Sequence, residues 1–109
     1  MSISPWRTGQ LSPTWTINMV RDGNNVMDLT GVTTNQLNLI IYTSSKVVAS
    51  NSPGVGTFTI VQASPGKVTY APASADIPTA AGVYYVRVEV NFNGTTPDYS
   101  DFIPWIIEN

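Results

Sequence analysis

The chain has 109 residues and a formal net charge of −2; 42% of its residues are hydrophobic and only 11% are charged, which fits one folded domain rather than a disordered segment. Its five basic residues, Arg7, Arg21, Lys46, Lys67 and Arg87, are scattered singly; no basic stripe exists to neutralise phosphates, and no nucleic-acid partner is expected. Without cysteine or histidine, the chain has no disulfide, no thiolate nucleophile and neither the usual general base nor the commonest metal ligands.

No apolar run approaches the ~20 residues of a membrane span, and Met1 to Arg7 lacks the apolar centre of a signal peptide. Residues 1–13 read as an extended N-terminal arm or an irregular edge strand, because Pro5 and Pro13 cannot sit inside a central ladder. Residues 14–109 read as the folded domain. Thr14 to Arg21 alternates, with Trp15, Ile17 and Met19 on the core side. Asp22-Gly23-Asn24-Asn25 is a turn cluster whose residue types tolerate positive φ, and Val26 to Gly31 is a short extended piece. Gln36 to Thr43 is a strand with Leu37, Leu39 and Ile41 inward; Ile40 and Tyr42 make its outer face more apolar than a solvated one.

Lys46 to Ser50 reads as a small edge strand and Asn51 to Gly56 as a loop. Thr57 to Gln62 and Lys67 to Ala71 form a pair of strands around Ala63-Ser64-Pro65-Gly66, with Pro-Gly at the centre of a type II turn. Phe58, Ile60, Val68 and Tyr70 are their core residues. Ser74 to Ile77 fits one helical turn. Gly82 to Phe92 has the cleanest period-two alternation, placing Tyr84, Val86, Val88, Val90 and Phe92 inward and Arg87 and Glu89 outward. A turn at Asn93-Gly94 leads towards Asp98, and the last strand runs from Tyr99 to Ile107, where Pro104 implies an edge or a bulge.

About seven short antiparallel strands separated by turn signals predict an all-β fold, an immunoglobulin-like β-sandwich without a disulfide. Thr79 to Val86 resembles the immunoglobulin pattern Asp-x-Gly-x-Tyr-x-Cys. Gly82 and Tyr84 fall in place, Ala80 stands for the Asp and Val86 for the Cys. Either Tyr84 ties its hydroxyl back to the preceding corner, or it is only a core aromatic. Trp15 lies on the strand that carries the other cysteine in that pattern, so Trp15 and Val86 together would fill the space of the bridge.

Few groups suit catalysis or ligand binding. Asp22 with Asp28, and Asp98 with Asp101, are the local carboxylate pairs; turn capping explains them better than calcium, which gathers six to eight oxygens. Serine nucleophiles have no histidine beside them, and Lys46 and Lys67 sit in polar turns that do not lower a pKa. No enzyme, metal or cofactor is expected. The aromatic residues remain: Trp6, Tyr42, Tyr85, Tyr99, Phe102 and Trp105 cannot all face one core. Phe102 to Ile107 is apolar on both faces, so Trp6, Phe102, Trp105 and Ile107 are the candidate interface with another subunit. The alternative is that Trp6 folds over Trp105 within one chain.

Trp15 to Thr33, containing an intact Asp28-Leu29-Thr30-Gly31, resembles the opening of the immunoglobulin-like domain at the N-terminus of phage baseplate upper proteins. Gly66-Lys67-Val68-Thr69-Tyr70 and Ala81 to Val90 are similar to that family's later segments, in the same order over residues 14 to 92. The resemblance implies a non-enzymatic virion structural protein, assembled in the host bacterial cytoplasm, that docks to other virion proteins and forms a homo-oligomer. No receptor-binding domain is expected beside the module, so a head-decoration, neck or small tail component fits as well as a baseplate one. The rival expectation is a carbohydrate-binding module with Trp105, Tyr85 or Trp6 as sugar platforms.

Overall fold

The computed structural model describes residues 3–7, 14–23, 25–92 and 97–108. The arm residues 8–13, Asn24 of the first turn cluster and the expected Asn93-Gly94 turn lie outside them.

Among the described residues, ten strands and two short 3₁₀ turns follow in chain order: β1 (Ile3–Arg7), β2 (Trp15–Asn18), β3 (Val20–Arg21), β4 (Asn25–Val26), a 3₁₀ turn (Thr34–Gln36), β5 (Leu37–Tyr42), β6 (Thr57–Gln62), β7 (Lys67–Ala71), a second 3₁₀ turn (Ser74–Asp76), β8 (Gly82–Asn91), β9 (Pro97–Tyr99) and β10 (Ile103–Glu108). One sheet has the order β1-β10-β8-β5 with β9 added beside β8, the other the order β2-β7-β6, and β3-β4 is a separate hairpin. The orders β2-β7-β6 and β10-β8-β5 are the B-E-D and G-F-C sheets of an immunoglobulin-like sandwich. β1 pairs in parallel with β10, while the other described pairs are antiparallel.

β8 is the longest strand and lies between β5 and β10. Its Val and Tyr residues favour a pleated surface packed on both sides, and the outward Arg87 and Glu89 fix its parity. Val86, Val88 and Val90 are fully buried, and in register they oppose Ile41, Leu39 and Leu37 of β5. Phe92 does not join them: the strand ends at Asn91, and Phe92 is 41% exposed. Period-two alternation carries a side chain inward only while the strand lasts.

Across the sandwich, Trp15, Ile17, Val68 and Tyr70 of the three-stranded sheet share one buried cluster with these residues and with Ile103, Trp105 and Ile107. Trp15 makes an edge contact with Trp105 at 4.8 Å between ring centroids, another with Trp6 at 5.6 Å, and a tilted one with Tyr70 at 5.4 Å. Trp15 and Val86 both lie in this cluster, so aromatic packing occupies the region a disulfide would bridge. Aromatic pairs in such geometry add about 0.5–1.5 kcal/mol each beyond the area they bury. Neither the Trp15 nor the Trp105 indole N–H has a hydrogen-bond partner among the described residues.

Tyr84 closes the corner before β8, its hydroxyl donating to the Ala80 carbonyl at 2.9 Å. This is the tyrosine corner expected from the Gly82/Tyr84 spacing.

Of the two readings of the arm, its described part is the edge strand, with Trp6 1% exposed and facing both Trp15 and Trp105. Three local expectations are corrected. Pro104 lies in a strand flanked on both sides, yet β1 finds its partners on β10 only from Trp105 onward, so at the proline β10 still has a free side. The 63–66 turn is closed by the Gly66 N–H to the Ala63 carbonyl, which places Ser64-Pro65 at its centre and Gly66, at φ 67, after it. Lys46 to Ser50 contributes only one bridge, Tyr42 to Val48, because this segment is spent on covering the edge of β5.

Candidate docking face on the five-stranded sheet

The aromatic residues that could not share one core are divided between the two faces of the large sheet. Trp6, Trp105 and Ile107 are buried inside the sandwich, 1%, 0% and 2% exposed. As an interface set these three are therefore corrected, and the alternative reading holds: β1 lays Trp6 over Trp105 within the same chain. Two of the three expected sugar platforms, Trp6 and Trp105, go with them. Phe102 alone of the interface set remains at the surface, half-buried.

Phe102 belongs to a group on the opposite, outward face. Tyr42 and Tyr85 oppose one another in register on β5 and β8, and Ile40 opposes Arg87. Tyr99 on β9 opposes Glu89. Phe102 stands edge-on to Tyr42 at 5.0 Å and to Tyr85 at 6.2 Å. The Arg87 guanidinium lies over three of these rings, 4.2 Å from Tyr99, 4.7 Å from Phe102 and 5.2 Å from Tyr42, and its Nε donates to the Tyr42 hydroxyl at 2.8 Å. Lys46, held at φ 63 in a turn closed by its N–H to the Thr43 carbonyl, sets its ammonium 4.9 Å from the Phe102 ring and 5.1 Å from that of Tyr85.

Each such cation–π contact is worth about 0.5–1 kcal/mol at an exposed site and more once water is excluded. Arg87 is half-buried and its stem is fixed in the middle of β8. The arrangement is thus pre-organised, and covering it would strengthen it. Beside it a groove of about 430 Å³ runs between Ile40, Tyr42, Val48 and Pro53 on one flank and Glu89 and Tyr99 on the other. Glu89 accepts from Asn38 at 3.2 Å, and its carboxylate, bonded to the Tyr99 hydroxyl, holds that phenol above its usual range, with burial and charge adding to the effect.

The acidic residues cap turns. Asp28 accepts the Thr30 N–H at 2.9 Å and the Thr30 hydroxyl at 2.6 Å, and these bonds hold its carboxyl below the usual range. Asp101 accepts the N–H groups of Asp22 and Gly23, both at positive φ, and Asp98 pairs with Arg21. Among the described residues no group of three or more metal-ligating side chains gathers.

One carboxylate escaped sequence reading. Asp76 is fully buried and accepts from the Tyr70 hydroxyl, the Val55 N–H at 2.7 Å and the Ala73 N–H at 3.0 Å. The Tyr70 oxygen in turn accepts the Gly56 N–H at 2.8 Å. The network fixes the 51–56 loop to β7. A signal was present: Tyr70 has inward parity, and a buried phenol needs a partner. The signal for the outward face was the apolar excess at Ile40 and Tyr42.

Compared with protein families, curated proteins and solved structures, the chain matches none of them.

Proposed function

We propose that this chain is a non-enzymatic structural module of a phage virion, a tail, baseplate, neck or head-decoration component. It docks to other virion proteins through the outward face of its five-stranded sheet. The observation that carries the docking reading is Arg87 held among Tyr42, Tyr99 and Phe102 on a face that the alternation of β8 assigns to solvent. Tyrosine and arginine in a half-buried, fixed arrangement are the residue types that dominate interface hot spots, because rigid rings lose little entropy on binding. The low charge of the chain supports a life inside an assembly, where Thr, Ser and Asn do not have to be desolvated at the cost of an ion. The virion assignment rests on the ordered similarity of residues 14 to 92 to the baseplate upper-protein domain.

The test is co-sedimentation of the purified protein with phage particles assembled without it. The native chain is expected to bind at a fixed stoichiometry, and a folded Tyr85→Ser, Phe102→Ser variant is expected to lose binding. Failure of the native chain to bind, or equal binding by the variant, refutes the reading.

A further inference from the structure

We infer that the protein covering the outward face of the five-stranded sheet presents an acidic segment, with a carboxylate on Arg87 and Lys46 and a neighbouring apolar side chain in the groove beside them. The inference rests on that face being the docking surface and names the chemistry of its partner.

Arg87 and Lys46 share one ring: the guanidinium carbon lies 4.7 Å from the centre of Phe102 and the ammonium 4.9 Å from it. Neither is in a salt bridge, since among the described residues the one such pair is Arg21 with Asp98. The Arg87 Nε donates to the Tyr42 hydroxyl, while the two terminal nitrogens have no acceptor among the described residues. Glu89 is the carboxylate lining the groove, and it is engaged by Asn38 and the Tyr99 hydroxyl. A partner that covered both cations without supplying acceptors would leave two charges buried and unpaired, which is costly. A carboxylate instead meets the terminal nitrogens of an arginine with two parallel charge-assisted bonds.

The backbone at Lys46 carries a separate signal. The Thr43 N–H donates to Val47 O at 2.8 Å and the Lys46 N–H to Thr43 O at 2.9 Å, which makes Ser44-Ser45-Lys46 a three-residue hairpin loop. The last position of such a loop is left-handed, here at φ 63, and glycine is its ordinary occupant because a side chain is strained there. A strained residue of this kind points to function, and what it places over Phe102 and Tyr85 is a positive charge.

The groove supplies the apolar half of the site. It is bounded by Tyr42 and Tyr99, two of the rings that hold Arg87, and by Ile40, Val48 and Pro53. A sugar is the poorer fit, because it stacks on a bare ring face and a cation already lies over each of Tyr42, Tyr85, Tyr99 and Phe102.

The test is a nuclear magnetic resonance titration of the isotope-labelled chain, at low salt, with a capped peptide of leucine between two glutamates. The same peptide with glutamines is the control. The glutamate peptide is expected to move the Arg87 Nε–H and Lys46 amide signals saturably, half-way at about 1 mM, and the glutamine peptide to bind at least about ten-fold more weakly. Lys46→Gly, which suits the backbone of the turn, is expected to stay folded by near-UV circular dichroism and to bind the glutamate peptide about two- to five-fold more weakly. Equal binding of the two peptides, no shift at about ten times that concentration, or stronger binding of a uronic-acid oligosaccharide at the same signals overturns the inference. Particles assembled without this protein separate it from the docking reading. If they bind the native chain while the glutamate peptide does not, the acidic partner falls and the docking face stands; if the peptide binds and the particles do not, the acidic partner stands and the virion reading falls.

Discussion

Replacing Asp76 should be the most damaging polar substitution in the molecule. In Asp76→Asn, one oxygen can still accept, either from Val55 on one side or from Tyr70 and Ala73 on the other, since the two sets bond different carboxylate oxygens. At best one backbone N–H loses its acceptor at a fully buried position, which costs about 1–3 kcal/mol. Asp76→Ala orphans all three donors, and partial hydration of the hole keeps the sum below threefold, so about 4 kcal/mol is expected. A domain of this size has about 5–15 kcal/mol in total. Urea unfolding followed by tryptophan fluorescence reads the change: at a slope of about 1–3 kcal/mol/M, the Asn variant should lower the midpoint by about 1 M. Tyr70→Phe removes one arm of the same network, and the double variant should cost less than the sum of the singles. An Asp76→Asn midpoint indistinguishable from the native one would show that the network contributes nothing net and refute the reasoning.

Trp6→Ala should cost about 3–5 kcal/mol, because the indole is buried against Trp15 and Trp105; a loss below about 0.5 kcal/mol would mean that β1 is not part of the sandwich. Gly66→Ala should cost more than about 1 kcal/mol, since a Cβ at φ 67 would stand 2.4 Å from the Met27 carbonyl oxygen; thermal unfolding checks it. Phe92→Ser should shift stability by no more than about 0.5 kcal/mol in the same assay, as the ring is outside the core. Burial first, and the bond to Asp76 second, raise the Tyr70 pKa above the ordinary phenol value of 10.0. Folding therefore disfavours the phenolate: the contribution of Tyr70 is complete below pH 10 and is lost as pH rises beyond it. Ultraviolet titration should find Tyr70 ionising above the ordinary phenol range, together with unfolding, and Tyr70→Phe should flatten the alkaline decline.

The parity of β8 was legible because charges at 87 and 89 mark the wet face directly, and the corner at Tyr84 followed from its distance to Gly82. The placement of the aromatics was not. Alternation says that residues 42, 85 and 99 share one side of a sheet, but whether that side is covered depends on which strands become neighbours. Trp6 is the clearest case: its burial requires β1 to pair with β10, a contact between opposite ends of the chain that no local pattern encodes. Phe102 to Ile107 read as apolar on both faces because both faces are in fact used, Trp105 towards the core and Phe102 towards the rings around Arg87. Asp76 was missed for a different reason. In a Ser-Ala-Asp turn it has the look of a solvated cap, and only the inward phenol of Tyr70 pointed to its burial.

The docking account is tested most directly by co-sedimentation with particles assembled without this protein, comparing the native chain with Arg87→Ala. Arg87 supports the rings without entering the core, so the variant should stay folded by near-UV circular dichroism. The account predicts saturable binding by the native chain and at least about ten-fold weaker binding by Arg87→Ala, the loss of one hot-spot side chain. Equal binding by the two would contradict it.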